Sequence, residues 1–491
     1  MIDERREMHW LILFACSAYI FCVSPAYSGP SDQVMHSLLT GSTLADHKDP
    51  HVGTLPKEQH QSGVELLLSS YKRMETAAFK DLLIAAAIDH PARLSSGSRR
   101  HQAQANVDEA NAARYPIVEG DFTAGGTYLS SNGDGLNGSS RDGGIVGDFD
   151  ASITLRQLLY DFGAVSERQA ASASFLLQAQ LGESEVAQER VVIAAEAYFR
   201  VLSSIAEQAL AIASMRRLEE LKDMVEERYY SGAATVADVL RANAQISAAR
   251  SDQVLLERQI AEAQSAYLEA FGSAHGELMV PVIDAILPSS LEDARRSAVS
   301  GRDQMLAINS LRDGRRAEYA AATADLWPRF NLEASAASLN INEGGEFSGT
   351  VRVRMQWSLF DGGLKSAREG RALAAYQEAS YQQVATQRQL EHEAYAAYSA
   401  YEAIVRQSKI ATVATREAEQ ARDAAREQFA VRGITILDVL TAERDALRAG
   451  SAWLHANLDV SVAKIRLLRA SGKLPDWFGA DWAFRTSEAA N

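Results

Sequence analysis

The sequence predicts a chain of mixed α and β class, in which long α-helical coiled-coil hairpins are joined to four transmembrane β-strands. Two observations carry that prediction. Four runs of residues alternate apolar and polar side chains, and two stretches rich in Ala, Leu, Glu, Gln and Arg run on far longer than a globular core requires. A third observation is that the pattern is written twice. Leu159-Tyr160-Asp161-Phe162-Gly163 corresponds to Leu359-Phe360-Asp361-Gly362-Gly363, Ala197-Tyr198 to Ala397-Tyr398, and Thr235-Val236-Ala237-Asp238-Val239-Leu240-Arg241-Ala242 to Thr435-Ile436-Leu437-Asp438-Val439-Leu440-Thr441-Ala442, each pair about 200 residues apart. Solenoid repeats are only about 20 to 50 residues long, so this spacing marks a duplicated domain.

The first element, residues 1–28, reads as a secretory signal. Arg5 and Arg6 precede an apolar run from about Trp10 to Val23, and Ala26-Tyr27-Ser28 supplies the small-residue exit. A mature chain starting near Gly29 would lack both Cys16 and Cys22, and with them any thiol, disulfide or Cys-ligated metal. Leu13-Phe14-Ala15-Cys16 faintly resembles a lipoprotein cleavage box, although Phe14 fits it poorly and the apolar run continues past Cys16. A cytosolic protein with an apolar N-terminal helix is a further reading of this segment. Residues 29–75 read as a flexible N-terminal extension whose histidines form no metal-ligand pattern.

Residues 76–275 form the first structural repeat, with strands at about 117–128 and 148–159. Val118, Gly120, Phe122, Ala124, Gly126 and Tyr128 share one face, opposed to Glu119, Asp121, Thr123 and Thr127. In the next strand Phe149, Ala151, Ile153, Leu155 and Leu159 oppose Asp148, Asp150, Ser152, Thr154 and Arg156. Residues 276–290, with Pro281 and Pro288, form a linker. The second repeat spans 291–478, with strands at about 329–340 and 349–359, and a tail occupies 479–491. Here Phe330, Leu332, Ala334 and Ala336 oppose Arg329, Asn331, Glu333 and Ser335, and Val351, Val353, Met355, Trp357 and Leu359 oppose Thr350, Arg352, Arg354 and Gln356. Period-two alternation makes a strand with one apolar and one polar face, and about 10 to 12 residues is enough for a tilted strand to cross a bilayer. Charges on the polar face are costly in lipid and natural in a water-filled lumen. Glu119, Asp121, Asp148, Asp150, Arg156, Arg329, Glu333, Arg352 and Arg354 are therefore expected to line a barrel lumen. A soluble sandwich with one wet face is the alternative. Four strands do not close a barrel, since the smallest single-chain bacterial barrels use eight, so several chains must contribute.

From Gly163 to Tyr230 the chain has no proline and a single interior glycine, Gly182. At about 1.5 Å per residue this makes a helix on the order of 100 Å long. The second repeat does the same from Leu364 to about Phe429. Each helix ends at a glycine-containing turn, Ser231-Gly232 or Arg432-Gly433, and a returning helix starts near Thr235 or Thr435. Thr followed by Asp three residues on resembles a capped start, although the capping box asks for Glu or Gln there.

Several function classes fall away. A net charge of −15 and a pI near 5.3 oppose nucleic-acid binding, which needs a basic face. Downstream of the signal no run of 18 apolar residues offers a spanning helix. Gly133-Asp134-Gly135-Leu136-Asn137-Gly138 is a formal GxGxxG with no helix after it, and Asp161-Phe162-Gly163 is a formal kinase DFG with no catalytic loop before it. No nucleophile–base set or metal spacing emerges, so neither catalysis nor a cofactor is expected.

On these residues the chain resembles the TolC-like outer-membrane efflux protein family over roughly residues 76–478. The resemblance rests on the duplicated strand-strand-helix unit, Tyr115-Pro116 and Trp327-Pro328 entering the first strand of each half, the Leu-(Tyr/Phe)-Asp-x-Gly exits and the x-Asp-Val-Leu-x-Ala tips. It implies a homotrimer whose strands complete one 12-stranded outer-membrane barrel above a periplasmic helical tunnel. It also implies a passive duct that docks a periplasmic adaptor and an inner-membrane transporter. Tyr160-Asp161-Phe162-Gly163 looks more like the type I secretion branch than the drug-efflux branch. The tips Ser231, Gly232, Ala233, Arg432, Gly433 and Ile434 would then meet the adaptor, and Asp238, Asp438 and Thr441 would line the constriction. The chain departs from the family where Arg432 and Gly433 shift the second tip glycine, where Thr441 replaces a second acidic residue, and where Ile434 replaces a basic gate residue. Two readings compete with these: a soluble periplasmic coiled-coil scaffold for the protein, and plain helix-start residues for the two aspartates.

Overall fold

The computed structural model describes residues 62–128, 145–339, 346–431, 433–479 and 482. The expected signal, most of the N-terminal extension and the loops at 129–144 and 340–345 lie outside the described residues. Beside two short strands, β1 at Arg73–Met74 and β4 at Val280–Pro281, the main sheet has the order β2-β3-β5-β6, with β2 at Ile117–Tyr128, β3 at Ile145–Tyr160, β5 at Arg329–Leu339 and β6 at Glu346–Gln356, all neighbours antiparallel. Register pairs like with like. Val118 faces Leu155, Ile153 faces Ala336 and Leu332 faces Val353, while Asp121 faces Ser152, Arg156 faces Glu333 and Glu333 faces Arg352. All four polar sides thus lie on one face of the sheet, as the period of two requires.

β6 ends at Gln356, so Trp357 and Leu359 do not continue its apolar face as the alternation suggested. The physical reason sits on the partner strand. Gln356 pairs with Arg329, and the next residue back is Pro328, which has no N–H to extend the ladder. Trp357 turns aside, and its indole N–H donates to the Leu326 carbonyl at 3.2 Å.

Below the sheet each repeat converts strand into helix by the same device. Asp161 accepts the N–H groups of Gly163 at 3.1 Å and Val165 at 2.7 Å, and Asp361 those of Gly363 at 3.0 Å and Lys365 at 3.1 Å. Gly163 and Gly363 take φ of 94° and 89°, where a side chain is strained. The carboxylate satisfies N–H groups that a helix start leaves without partners. In this way the formal DFG receives its explanation: it is a strand-to-helix turn.

The two long helices are Ala164–Tyr230 and Leu364–Ala430, each of 67 residues, or on the order of 100 Å. Helices Pro91–Ala112 and Asp303–Ala324 pack along the first, and Leu291–Gly301 and Asp303–Ala324 along the second. The returning helices Val236–Phe271 and Ile436–Ala470 pair with the halves farther from the sheet, closing two hairpins. The main core sits midway along the hairpins, where Phe79, Val191, Tyr198, Leu202 and Leu454 are fully buried. A second cluster, Leu218, Leu221, Val225, Phe429, Ile436 and Val439, binds the two hairpins together near their turns.

The expected flexible extension ends earlier than residue 75. Gly63–Ser70 is a helix whose capping box is complete, with Ser62 Oγ accepting from Glu65 N at 3.2 Å and Glu65 accepting from Ser62 N at 3.1 Å. Val64 is buried against Gly450 and Leu210. Arg73–Met74 then pairs in parallel with Val280–Pro281 of the linker. Burial of Val64, the capping box and the strand pairing together oppose the chain entropy lost in ordering this segment.

Two glycines in helix interiors have opposite expected effects. A Cβ at Gly314 would lie 2.5 Å from the Phe175 ring, whereas at Gly182 it would meet nothing within 4 Å. Gly314→Ala is expected to destabilise by about 1 to 3 kcal/mol through overpacking. Gly182→Ala is expected to stabilise by roughly 0.5 to 1 kcal/mol through helix propensity. Thermal unfolding followed by circular dichroism checks both signs.

Candidate functional site

Two regions carry the candidate functional residues: the charged face of the sheet and the paired turns at the far ends of the hairpins. On the sheet, Glu333 is 8% exposed and sits among arginines. Its carboxylate meets Arg352 Nε at 3.0 Å, Arg354 Nε at 3.2 Å and Arg156 Nε at 3.9 Å, and Arg156 reaches Glu119 at 3.9 Å. Arg329 pairs with Asp325, which also holds Arg168 from the first repeat. Asp121 and Asp150 stand on the same face beyond Glu119, opposite Ser152 and Thr123. Asp148 lies on β3, and its side chain is outside the described residues.

The other face is apolar and open. Val351 is 75% exposed and Val353 62%, with Val118, Phe122, Ile153 and Met355 exposed beside them. At the helix end of the sheet Phe162 stacks on Trp327 with centroids 5.5 Å apart and touches Tyr160 at 4.8 Å. Phe162 adopts φ 57°, a left-handed conformation that its counterpart Gly362 takes without strain. An aromatic cluster at the rim of an apolar band is the pattern of a membrane–water boundary. No helix among the described residues is long and apolar enough to cross a membrane.

At the turns, Gly232 takes φ 74°, and its N–H bonds the Tyr229 carbonyl at 3.0 Å. Ser231 and Ala233 flank it in the open. Gly433 N–H bonds the Gln428 carbonyl at 2.8 Å, and Ile434 packs against the second core cluster. Arg432 is outside the described residues. Arg228 lies over the Phe429 ring at 4.2 Å and donates to the Ala430 carbonyl at 3.2 Å, which holds the two turns side by side.

Just inside the turns both aspartates complete capping boxes. Asp238 Oδ2 accepts from Thr235 N at 2.9 Å and from its hydroxyl at 2.8 Å, and Asp438 Oδ2 does the same with Thr435 at 3.0 and 2.8 Å. Asp thus serves where the sequence rule asked for Glu or Gln. The resemblance between the two ends here. Arg241 Nη1 stands 3.3 Å from Asp238 Oδ1, whereas its counterpart Thr441 turns its hydroxyl to the Leu437 carbonyl at 2.8 Å. Asp438 therefore has no ion-pair partner among the described residues. Arg241 is the residue the sequence reading passed over, and the signal was the Arg-for-Thr difference between otherwise matching tips. Hydrogen bonds with Thr235 hold the Asp238 carboxyl below the usual carboxylate range, and those with Thr435 do the same for Asp438. Among the described residues no cluster of His, Cys, Asp or Glu could hold a metal ion.

The model of the family described as outer membrane efflux protein matches residues 86–273 and 294–473, one segment for each repeat. The chain belongs to the outer membrane efflux protein family. Among curated relatives, this efflux protein is similar to the outer membrane efflux protein BepC of Brucella suis, 25% identical over 377 residues covering 75% of this chain and 79% of the relative. It is also similar to the outer membrane protein OprJ of Pseudomonas aeruginosa, 23% identical over 431 residues covering 81% and 86%. Its fold matches crystal structures of CusC, with a TM-score of 0.72 at 18% identity, covering 87% of this chain and 99% of that one. VceC from Vibrio cholerae matches with a TM-score of 0.71 at 19% identity, covering 81% and 96%.

Two predictions follow from this geometry. Arginine at Val353, on the apolar face, is expected to cost about 2 to 4 kcal/mol if placed near the bilayer midplane and to lower the yield of outer-membrane protein. Arginine at Thr350 or Gln356, on the polar face, is expected to leave that yield unchanged. Quantitative outer-membrane fractionation compares them, and equal losses on both faces would contradict the facing. Separately, a carboxyl whose pKa is lowered by folding adds stability above its unfolded value of about 4 and loses it as pH falls through the folded value. Protection of the amides from Thr235 to Asp238 and from Thr435 to Asp438, taken relative to the intrinsic exchange rate at each pH, is accordingly expected to fall only below about pH 4. Loss of protection beginning near neutral pH would contradict the capping role.

Proposed function

We propose that this protein is the outer-membrane exit duct of a tripartite export system, a passive conduit assembled from three copies of the chain. The observation that carries the reading is the open sheet. β2 and β6 each keep one edge unpaired among the described residues, one face is apolar and exposed, and the other is charged. Antiparallel addition of β6 of one copy to β2 of the next preserves the alternation of the sheet, and three copies give 12 strands, within the range of known outer-membrane barrels. The paired helical hairpins then hang into the periplasm. The soluble scaffold reading leaves the apolar strand face unexplained, and the family match does not support it.

In this reading the turns at Ser231, Gly232 and Ala233, and at Arg432, Gly433 and Ile434, form the surface that meets a periplasmic adaptor, which in turn couples the duct to an inner-membrane transporter. Cargo, whether secreted protein as in type I secretion or small molecules as in drug efflux, is selected by that transporter. Asp438 and Thr441 form the constriction. Asp238 stands beside them with its charge offset by Arg241. The threefold ring is thus one of three carboxylates without an ion-pair partner among the described residues, rather than six.

The assembly is tested directly by native mass spectrometry in mild detergent, which is expected to give a trimer. A stable monomer would overturn the reading. The constriction is tested in planar bilayers, where a carboxylate ring favours cations. Asp438→Asn is expected to lower the cation-to-anion permeability ratio several-fold, and Asp238→Asn to change it little. Equal effects, or none in either variant, would remove Asp438 from the gate.

A further inference from the structure

The charged face of the sheet is sorted along its length. Across β3, β5 and β6 one row holds Arg156, Glu333 and Arg352, and the next row toward the helices holds Asn331 and Arg354. In the opposite direction lie Glu119 opposite Thr154, Asp121 opposite Ser152, and Asp150 opposite Thr123. The helix-side end is therefore rich in arginine and the far end in carboxylates.

Glu333 does not neutralise its neighbours. Its carboxylate is shared by three guanidinium groups and meets both Arg352 and Arg354 through Nε; Glu119 also reaches Arg156, so two carboxylates face three guanidinium groups. Arg352 Nε donates to Glu333 at 3.0 Å, and among the described residues no hydrogen bond runs from a terminal Nη of Arg352 or Arg354 to a carboxylate. Those terminal N–H donors keep the planar arrangement that suits oxyanions. The side chains are about half exposed, at 56% for Arg352 and 50% for Arg354. Glu333 thus positions the arginines and leaves them with a surplus of positive charge.

We infer that Arg156, Arg352 and Arg354 form an oxyanion-binding belt at the helix-side end of the barrel lumen, taking phosphate, sulfate or carboxylate groups of passing cargo. The inference rests on the exit-duct reading, which brings three such sets around one lumen. Asp121 and Asp150, farther along the same face, repel the same groups, so an anion leaving the belt meets an opposing field and is not retained in the outer half.

The test uses the purified protein in planar bilayers with inorganic tripolyphosphate as the probe. The unmodified channel is expected to be blocked, with block weakening as salt rises because exposed charges are screened. The double variant Arg352→Ser, Arg354→Ser is expected to need at least tenfold more tripolyphosphate for half-block. The Arg352→Lys, Arg354→Lys variant is expected to fall between the two, because charge is kept and the planar fork is lost. Glu333→Gln is expected to tighten block several-fold. Open-channel conductance in potassium chloride shows that each variant has assembled, and Arg354→Ser alone serves if the double variant does not. Channels that conduct normally but are not blocked, or whose block ignores both arginines, would overturn the belt. If the unmodified protein forms no conducting channel at all, the exit-duct reading fails first and the belt falls with it.

Discussion

A backbone N–H or C=O in hydrocarbon must find its partner within protein, because no water is there to supply one and each unmet group costs several kcal/mol. This chain enters the bilayer with a sheet of four strands and two raw edges, so the chain alone is not a stable membrane object. Much of the structure follows from that. The apolar face of the sheet is the one suited to lipid, and the charged face the one suited to water. Pro328 ends the ladder, and Asp161 and Asp361 start the long helices just past the ends of the strands. The helices keep their own backbone bonds and need only side-chain packing, which the two core clusters supply.

Duplication set the architecture, and divergence between the copies set the chemistry. Phe162 keeps a strained φ where Gly362 has none, and in exchange it stacks on Trp327 at the membrane boundary. Arg241 covers Asp238, while Thr441 leaves Asp438 open. The two halves also fasten one another. Arg302 of the second repeat meets Glu185 of the first at 3.0 Å, and Glu443 of the second meets Arg217 of the first at 3.2 Å. Arg302 and Glu443 are nearly fully buried, and each has a second partner: Glu393 for Arg302 and Arg426, at 3.3 Å, for Glu443.

The strands were legible because a period of two is a strong local signal: Ile117–Tyr128 has the limits that the alternation of Val118 to Tyr128 marks. The long helices were legible from the absence of proline between Gly163 and Tyr230. What escaped depended on contacts distant in sequence. Arg73–Met74 is too short to show a period and becomes a strand only because Val280–Pro281 lies beside it. Val64 gains order from Gly450 and Leu210. The sharing of Glu333 among three arginines needed the register of β3, β5 and β6, which a single strand does not encode. The roles of Asp161 and Asp361 were hidden by their likeness to an unrelated motif until the turn geometry was seen.

The central claim is that the raw edges of β2 and β6 are satisfied by other copies of the same chain. Cysteine pairs, one at Asp121 on β2 and one at Ser348 or Thr350 on β6 of the same chain, oxidised in native outer membranes, report on that edge directly. The account predicts covalent ladders that end at three chains. Cysteine pairs that stay monomeric at every β6 position, or ladders that run on beyond three chains, would contradict it.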